Sequence, residues 1–262
     1  MDFLLTKIDA PTMFGAFHIT MLVLAVMLIA IGIIFGNKVS DKTYRIILLC
    51  LWVVLVISEV LYQIVYPVYA NGGVSPAPYD WIAFPFQFCS MPLYTLPFVA
   101  LLPDGKVRNA FSAFISSFVI FAGVVVCIIP DGLLRENAFL NIQAFFQHGV
   151  PASIGAFIAS HNREKSSISN FLGGVVVFFV AIVTAIIMNE VGYALNLYQF
   201  NMFHISPHQG CPLPVLTDIQ PLVDPTTFII IYFFGFVAVG FIVYQLFALP
   251  LSKLKSIKWK RN

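Results

Sequence analysis

Seven stretches of about twenty residues, nearly free of charge, divide this sequence and leave room for few folds other than a bundle of membrane-crossing helices. They run over about 17–35, 46–66, 81–102, 110–129, 138–159, 171–193 and 226–249. A helix needs about 20 apolar residues to cross the hydrocarbon core of a bilayer. Only 10% of the 262 residues are charged and 60% are hydrophobic. A soluble domain carries about a quarter charged residues, so this chain has too little polar surface to cover a water-soluble globule. The fold expected is all-α: a polytopic membrane helix bundle with seven transmembrane helices in a single domain, 1–262, placed in the cell membrane. Residues 1–16 hold Asp2 and Asp9 and lack a basic segment and a small-residue cleavage site, so the first stretch is expected to act as an uncleaved anchor.

Cations orient the bundle. Lys38, Lys42 and Arg45 fall in the first connection, Lys106 and Arg108 in the third, Arg163 and Lys165 in the fifth. Lys253, Lys255, Lys258, Lys260 and Arg261 fall in the tail, leaving only Lys7 and Arg135 for the other side. Lys and Arg accumulate on the cytoplasmic side of membrane proteins. Seven spans put twelve of the fourteen on one side, where six or eight would split them. The N-terminus is then outside and the C-terminus in the cytoplasm. The basic tail, 250–262, with Trp259 among its lysines, suits an anchor on anionic lipid or a plain stop-transfer charge. A net charge of +2 with no basic stripe in the body argues against a nucleic-acid partner. Membrane lipids are the partners expected, and the sequence sets no oligomeric state.

Polar side chains inside a bilayer are costly and usually face the bundle interior or a water-filled cavity. In this orientation they gather in the outer halves of the spans. Glu59 and Gln63 are four residues apart on one helix face, continued by Tyr62 and Tyr66. Gln87 and Cys89 lie in the outer half of the third span. Asn141 and His148 share a face of the fifth, beside Gln143 and Gln147. Asn189 and Glu190 close the sixth, and His18 opens the first. The inner halves hold almost nothing comparable. The set predicts one outward-facing polar pocket, although each amide taken singly is as well explained by hydrogen bonding between helices.

Cys89 is the candidate nucleophile. Pro92 has no N–H for the carbonyl of Phe88, and Pro85 none for that of Trp81, so a helix here is expected to bend and open near the thiol. Thiols attack as thiolates, and His148 at similar depth is the candidate base. A free Cys in an apolar helix is more often a small packing residue. Cys50 is placed far from the pocket. Cys127 and Cys211 fall on the outer side, where spacing leaves a disulfide open. No Cys or His spacing suggests a metal, and no cofactor is expected.

Several short motifs occur in span order: Phe14-Gly15-Ala16-Phe17-His18; Trp81-Ile82-Ala83-Phe84-Pro85-Phe86-Gln87-Phe88-Cys89; and Gln143-Ala144-Phe145-Phe146-Gln147-His148. In these the chain resembles the YwaF family of bacterial integral membrane proteins, related to transmembrane protein 164. The resemblance implies a phospholipid acyltransferase that works through a membrane-embedded Cys and His, at positions matching Cys89 and His148. The chain departs from that pattern at Gln87, where a His is usual, and at Asn201-Met202, where Asn-Tyr is usual.

Two functions compete on these residues. In the first, Cys89 attacks an acyl ester of a phospholipid and His148 moves the proton. Gln87, Gln147 or Asn141 would donate to the oxyanion, Glu59 or Glu190 would orient His148, and the loop 195–225 would form a lid or a passive connection. In the second, the same pocket serves a transporter or substrate-binding component with Glu59 and Glu190 as proton or cation sites. A seven-span receptor is a third, weaker reading, resting on span count alone.

Overall fold

The computed structural model describes residues 2–130 and 132–248. The basic tail expected over 250–262 lies outside them. Seven helices of eleven residues or more organise the described chain: α1 (Ala16–Gly36), α2 (Asp41–Ala70), α3 (Met91–Leu101), α4 (Lys106–Ile128), α5 (Ala138–His161), α6 (Ile168–Ala194) and α7 (Pro225–Phe247). No strand occurs among the described residues. Four helices start on side-chain caps, which satisfy amide N–H groups that no helical turn can reach. Ser40, Asn137, Ser167 and Asp224 accept from the backbone N–H of Thr43, Leu140, Asn170 and Thr226 respectively. α4 carries one π-helical turn, Ile115–Val119.

Five helices, α1, α2, α4, α6 and α7, are long and apolar enough to cross a membrane. α5 has 24 residues but is less apolar. It carries Asn141, Gln143, Gln147 and His148, all buried, because other helices rather than lipid surround it. The third expected span, 81–102, is helical only in its second half. Trp81–Ala83 and Phe88–Ser90 are single 3-10 turns, and Phe84 and Gln87 take extended backbone angles. The prolines explain the difference. Pro85 removes a donor and holds Phe84 before it out of the α region, whereas Pro92 falls in the first turn of α3, where its missing N–H costs no helical bond.

α5 is the axis of the packing. α1 lies along it with little between the backbones: a side chain at Gly32 would meet the Ser153 carbonyl and one at Gly36 the Ser160 side chain. Ser153 and Ser160 donate to the Leu28 and Ile33 carbonyls of α1 at 2.8 and 2.7 Å. Small residues and hydroxyls at helix contacts are what apolar surroundings favour, since lipid tails offer no competing solvation. α4 and α2 pack on other sides of α5, α6 packs on α4, and α7 covers the π turn. Phe88, Phe118, Phe178, Phe203 and Phe236 form a continuous aromatic core. Outward faces are apolar instead of charged, with Val26, Ile57, Val176 and Phe234 exposed.

The two ends of the bundle differ. At one, Arg45 Nη1 donates to the Ala100 and Leu102 carbonyls, 3.1 and 2.8 Å, capping α3. Arg108, 3% exposed, donates to the Val99 carbonyl and pairs with Asp104 and Asp41. Tyr44 stacks on His161 with ring centroids 3.8 Å apart. The Lys165 ammonium, 3.0 Å from Asp104, and the Arg108 guanidinium hold the Asp104 carboxyl below the usual carboxylate range. This ionic knot adds to the expectation of a featureless apolar half, since it sits at the helix ends. The opposite end bears the long connections 71–90 and 195–224 and the polar residues discussed next.

Candidate functional site

Glu59 is the centre of the best-defined polar group. It is 8% exposed. Its Oε1 accepts from Gln63 Nε2 at 2.6 Å and its Oε2 from Gln147 Nε2 at 3.2 Å, so α2 and α5 are tied through one carboxylate. Gln63 also donates to the Ala83 carbonyl, 2.7 Å, and accepts from Tyr79 Oη, 2.7 Å. That links the group to the irregular segment that carries Cys89. Both glutamines stand four residues before a proline, Pro67 and Pro151, whose missing N–H cannot bond the Gln63 and Gln147 carbonyls. Prolines thus loosen both helices at the level of Glu59. No ion pair to Glu59 occurs among the described residues, and the Gln147 Oε1 is buried without a partner.

Cys89 is half-buried in the 3-10 turn that runs into α3, with Ser90 as the N-cap of that helix. Its Sγ lies 3.9 Å from Ser90 Oγ. The turn packs against α5 and α4. His148 follows Gln147 on α5 and is 9% exposed. Its Nδ1 is 2.6 Å from the Ala144 carbonyl. A carbonyl can only accept, so Nδ1 carries the proton and Nε2 keeps its lone pair. No hydrogen bond joins Cys89 to His148 among the described residues, and Sγ is shared with Ser90 Oγ.

The remaining residues of the expected pocket sit at the same end in separate groups. His18 is fully buried; its Nδ1 accepts from the Phe14 N–H, 2.8 Å, so its Nε2 donates to the Cys127 carbonyl, 2.9 Å. Both nitrogens are spent on structure, Nδ1 on the turn before α1 and Nε2 on joining α1 to α4. Asn141 clamps the backbone N–H and carbonyl of Arg135, each at 2.7 Å. Asn189 does the same to Met202, at 2.6 and 3.0 Å. Gln87 Nε2 donates to the Asn201 carbonyl, 2.7 Å, while its Oε1 is buried and unpartnered. Glu190 is exposed and apart from Glu59; it bonds His208 at 3.3 Å, and His208 stacks on Tyr193. Cys127 and Cys211 are free thiols in different packing clusters.

The Gln87–Asn201 bond and four ring contacts fasten the connection 195–224 over the Cys89 segment. Phe200 packs on Trp81 and Phe84, and Phe203 on Phe86 and Phe88. Phe203 takes φ 56°, a left-handed conformation rarely adopted outside Gly and Asn, held by the Asn189 clamp on the residue before it. Burial holds the His204 imidazole well down, to about 4, so it is neutral at physiological pH. A cavity of about 610 Å³ opens between this connection and the start of α7, lined among others by His208, Gln209, Cys211, Thr217 and Gln220. The roles of Tyr79, Asn201 and Gln220 were not legible beforehand, because each depends on a chain reversal that no helical spacing encodes.

Apolar helices of spanning length, with their amides and buried charges turned toward one another, make this a multi-pass helical membrane protein. The chain belongs to the TMEM164 family, which it matches over residues 13–251. Neither the curated proteins nor the solved structures contain a match.

Proposed function

We propose that this protein transfers or hydrolyses fatty acyl groups of phospholipids in the cell membrane, with Cys89 as nucleophile and His148 as base. One observation carries the reading: the chain breaks its helix over 81–90, inside the bundle, and puts a half-buried thiol there. Irregular backbone at membrane depth leaves polar groups to satisfy and is tolerated where it is buried in protein or lines a cavity. A break that positions only a packing residue has no such return. The thiol lies one residue before the N-cap of α3, where helix N–H groups point at a developing negative charge.

The chemistry follows from the free positions. His148 Nε2 takes the Cys89 proton as the sulfur bonds the ester carbonyl carbon. The carbonyl electrons move to oxygen, where the Gln87 or Gln147 side-chain amide can turn a donor toward it. The C–O bond to the glycerol oxygen then breaks, and that oxygen takes the proton from His148. A second lipid hydroxyl, or water, reverses the sequence and releases the acyl group from sulfur.

In this reading the bundle crosses seven times. α5, about 36 Å long at 1.5 Å per residue, and the 81–101 segment, half of it helical, add two crossings to the five. The end bearing Arg45, Arg108 and Lys165 faces the cytoplasm, which places the N-terminus and the 195–224 connection outside. The test is acyl exchange in proteoliposomes between a labelled phospholipid and a lysophospholipid. Cys89→Ala is expected to abolish exchange; full exchange by this variant would overturn the proposal.

A further inference from the structure

We propose that Arg135, set over Tyr66, binds the phosphate of a membrane phospholipid and so holds the ester of that lipid at the level of Cys89 and His148. The inference rests on the lipid function proposed above and adds a headgroup subsite to it. Arg135 is half-buried in the connection before α5. Its backbone is fixed on both sides, since the buried Asn141 side chain accepts from its N–H and donates to its carbonyl, each at 2.7 Å. Two residues on, Asn137 caps α5 and donates to the Leu4 carbonyl, 3.1 Å. The guanidinium thus projects from a tethered loop. Its carbon lies 4.7 Å from the centroid of the Tyr66 ring, which stacks on Tyr62 at 5.1 Å. No carboxylate forms an ion pair with it among the described residues; Glu136 is exposed, and Asp80 caps the Trp81 turn. At the other end of the bundle, Arg45 and Arg108 both pair with Asp41 and Asp104.

A guanidinium with one face against an aromatic ring keeps its N–H groups in its own plane, where they match the oxygens of a phosphate. The Tyr62 hydroxyl engages part of that fork, and an arginine has five N–H donors to share. Tyrosines at the end of a membrane bundle also mark the depth of lipid headgroups. The distance to the proposed chemistry suits a phospholipid. α2 and α5 run antiparallel in register, because Glu59 meets Gln147 and, fifteen residues along each helix, Tyr44 meets Asn162. His148 therefore stands level with Ser58 of α2. α3 keeps register with α2 through Trp52 with Leu93 and Arg45 with Ala100, seven residues along each, which brings Cys89 to nearly the same level. Tyr66 is eight residues beyond Ser58, or about 12 Å at 1.5 Å per residue. In a phospholipid five bonds separate phosphorus from the nearer ester carbonyl carbon, a reach of about 6 Å. The guanidinium–phosphate contact and the approach of a nucleophile add about 3 Å each. A phosphate on Arg135 thus puts its own ester within reach of the thiol.

The test is equilibrium binding of two fluorescent probes to the detergent-purified full chain, a phosphatidylcholine and a diacylglycerol labelled on the same acyl chains. Arg135→Gln is expected to weaken phosphatidylcholine binding about tenfold or more and to leave the diacylglycerol within about twofold. Arg135→Lys, a point charge without the fork, is expected to recover part of the loss. Millimolar inorganic phosphate is expected to leave the phosphatidylcholine bound; displacement would assign the site to free phosphate and overturn the lipid assignment. Equal weakening of both probes would make Arg135 a fastener of its loop, and weakening of neither would leave the phosphate unrecognised. Either pattern overturns the proposal. Binding needs no turnover, so the two readings fail separately. Should Cys89→Ala exchange acyl groups fully while Arg135→Gln loses only the phosphatidylcholine, the nucleophile falls and the headgroup subsite stands. Should Cys89→Ala be inactive while Arg135→Gln binds phosphatidylcholine as the unaltered chain does, the subsite alone falls.

Discussion

At the scale of single residues, this chain spends its polar side chains on backbone that its prolines expose. Pro97 lies inside α3 and cannot donate to the Leu93 carbonyl; Trp52 Nε1 on α2 donates to that carbonyl instead, at 2.8 Å. Trp52→Phe keeps most of the ring packing and leaves a half-buried acceptor unsatisfied. The expected loss of stability is about 1–2 kcal/mol, seen as a lower melting temperature in detergent without loss of helical signal. Asp104 makes a different test, because its charge is engaged in the folded state. Its carboxyl is held below the ordinary range chiefly by the hydrogen bond from Lys165. A depressed folded pKa contributes stability above the unfolded value and loses it as pH falls. Asp104→Asn should therefore melt earlier than the wild-type chain at pH 7, and the gap should close below about pH 4. The carboxylate is 59% exposed, so added salt should also narrow the gap.

At the scale of elements, the helices that fill the interior are distinguished by how closely they approach α5. Gly123 of α4 lies against the His148 carbonyl, and a methyl group there would run into it. Gly123→Ala must push α4 away from the turn that presents His148. The expected cost is about 1–3 kcal/mol, together with a fall in acyl exchange larger than that of a surface control such as Val176→Ala. Exchange unchanged in a destabilised Gly123→Ala chain would show that the position of His148 does not matter. These approaches also mark what the sequence could and could not reveal. The stretches 17–35, 110–129 and 171–193 reappear as α1, α4 and α6 within a few residues, because unbroken apolar runs have no other way to satisfy their backbone. The stretch 81–102 did not follow that rule. Pro85 and Pro92 were visible, but a bend and a complete break look alike until the Phe200 and Phe203 rings that pack on the open segment are in place. Depth was legible and pairing was not. Helical spacing put Glu59, Gln63, Gln147 and His148 at one end, yet their separation from His18, Asn141 and Asn189 comes from loops that those three residues hold.

At the scale of the whole molecule, the two ends differ in charge, and the side from which the proposed chemistry would be reached depends on which end faces out. Among the described residues Lys38, Lys42, Arg45, Lys106, Arg108, Arg163 and Lys165 lie at one end, and Lys7 and Arg135 at the other. The Cys89 segment, Glu59 and the 610 Å³ cavity all belong to the cation-poor end. If the rule that cations remain in the cytoplasm governs this chain, the reacting centre opens to the outer leaflet, and a lipid substrate must come from there. That chain of reasoning is open to a direct check. Single cysteines placed at Lys106 and at Thr217, each in a background with Cys50, Cys89, Cys127 and Cys211 replaced by Ser or Ala, report on the two ends separately. Thr217 lines the 610 Å³ cavity, and Lys106 begins α4 beside the ionic knot. A membrane-impermeant maleimide applied to intact cells should label the Thr217→Cys chain and spare the Lys106→Cys chain until the cells are permeabilised. The reverse pattern would place Cys89 near the cytoplasmic leaflet and make lipids of that leaflet the substrates to test. Labelling of both positions in intact cells would require an even number of crossings between them in place of the three made by α4, α5 and α6, and would overturn the count of seven.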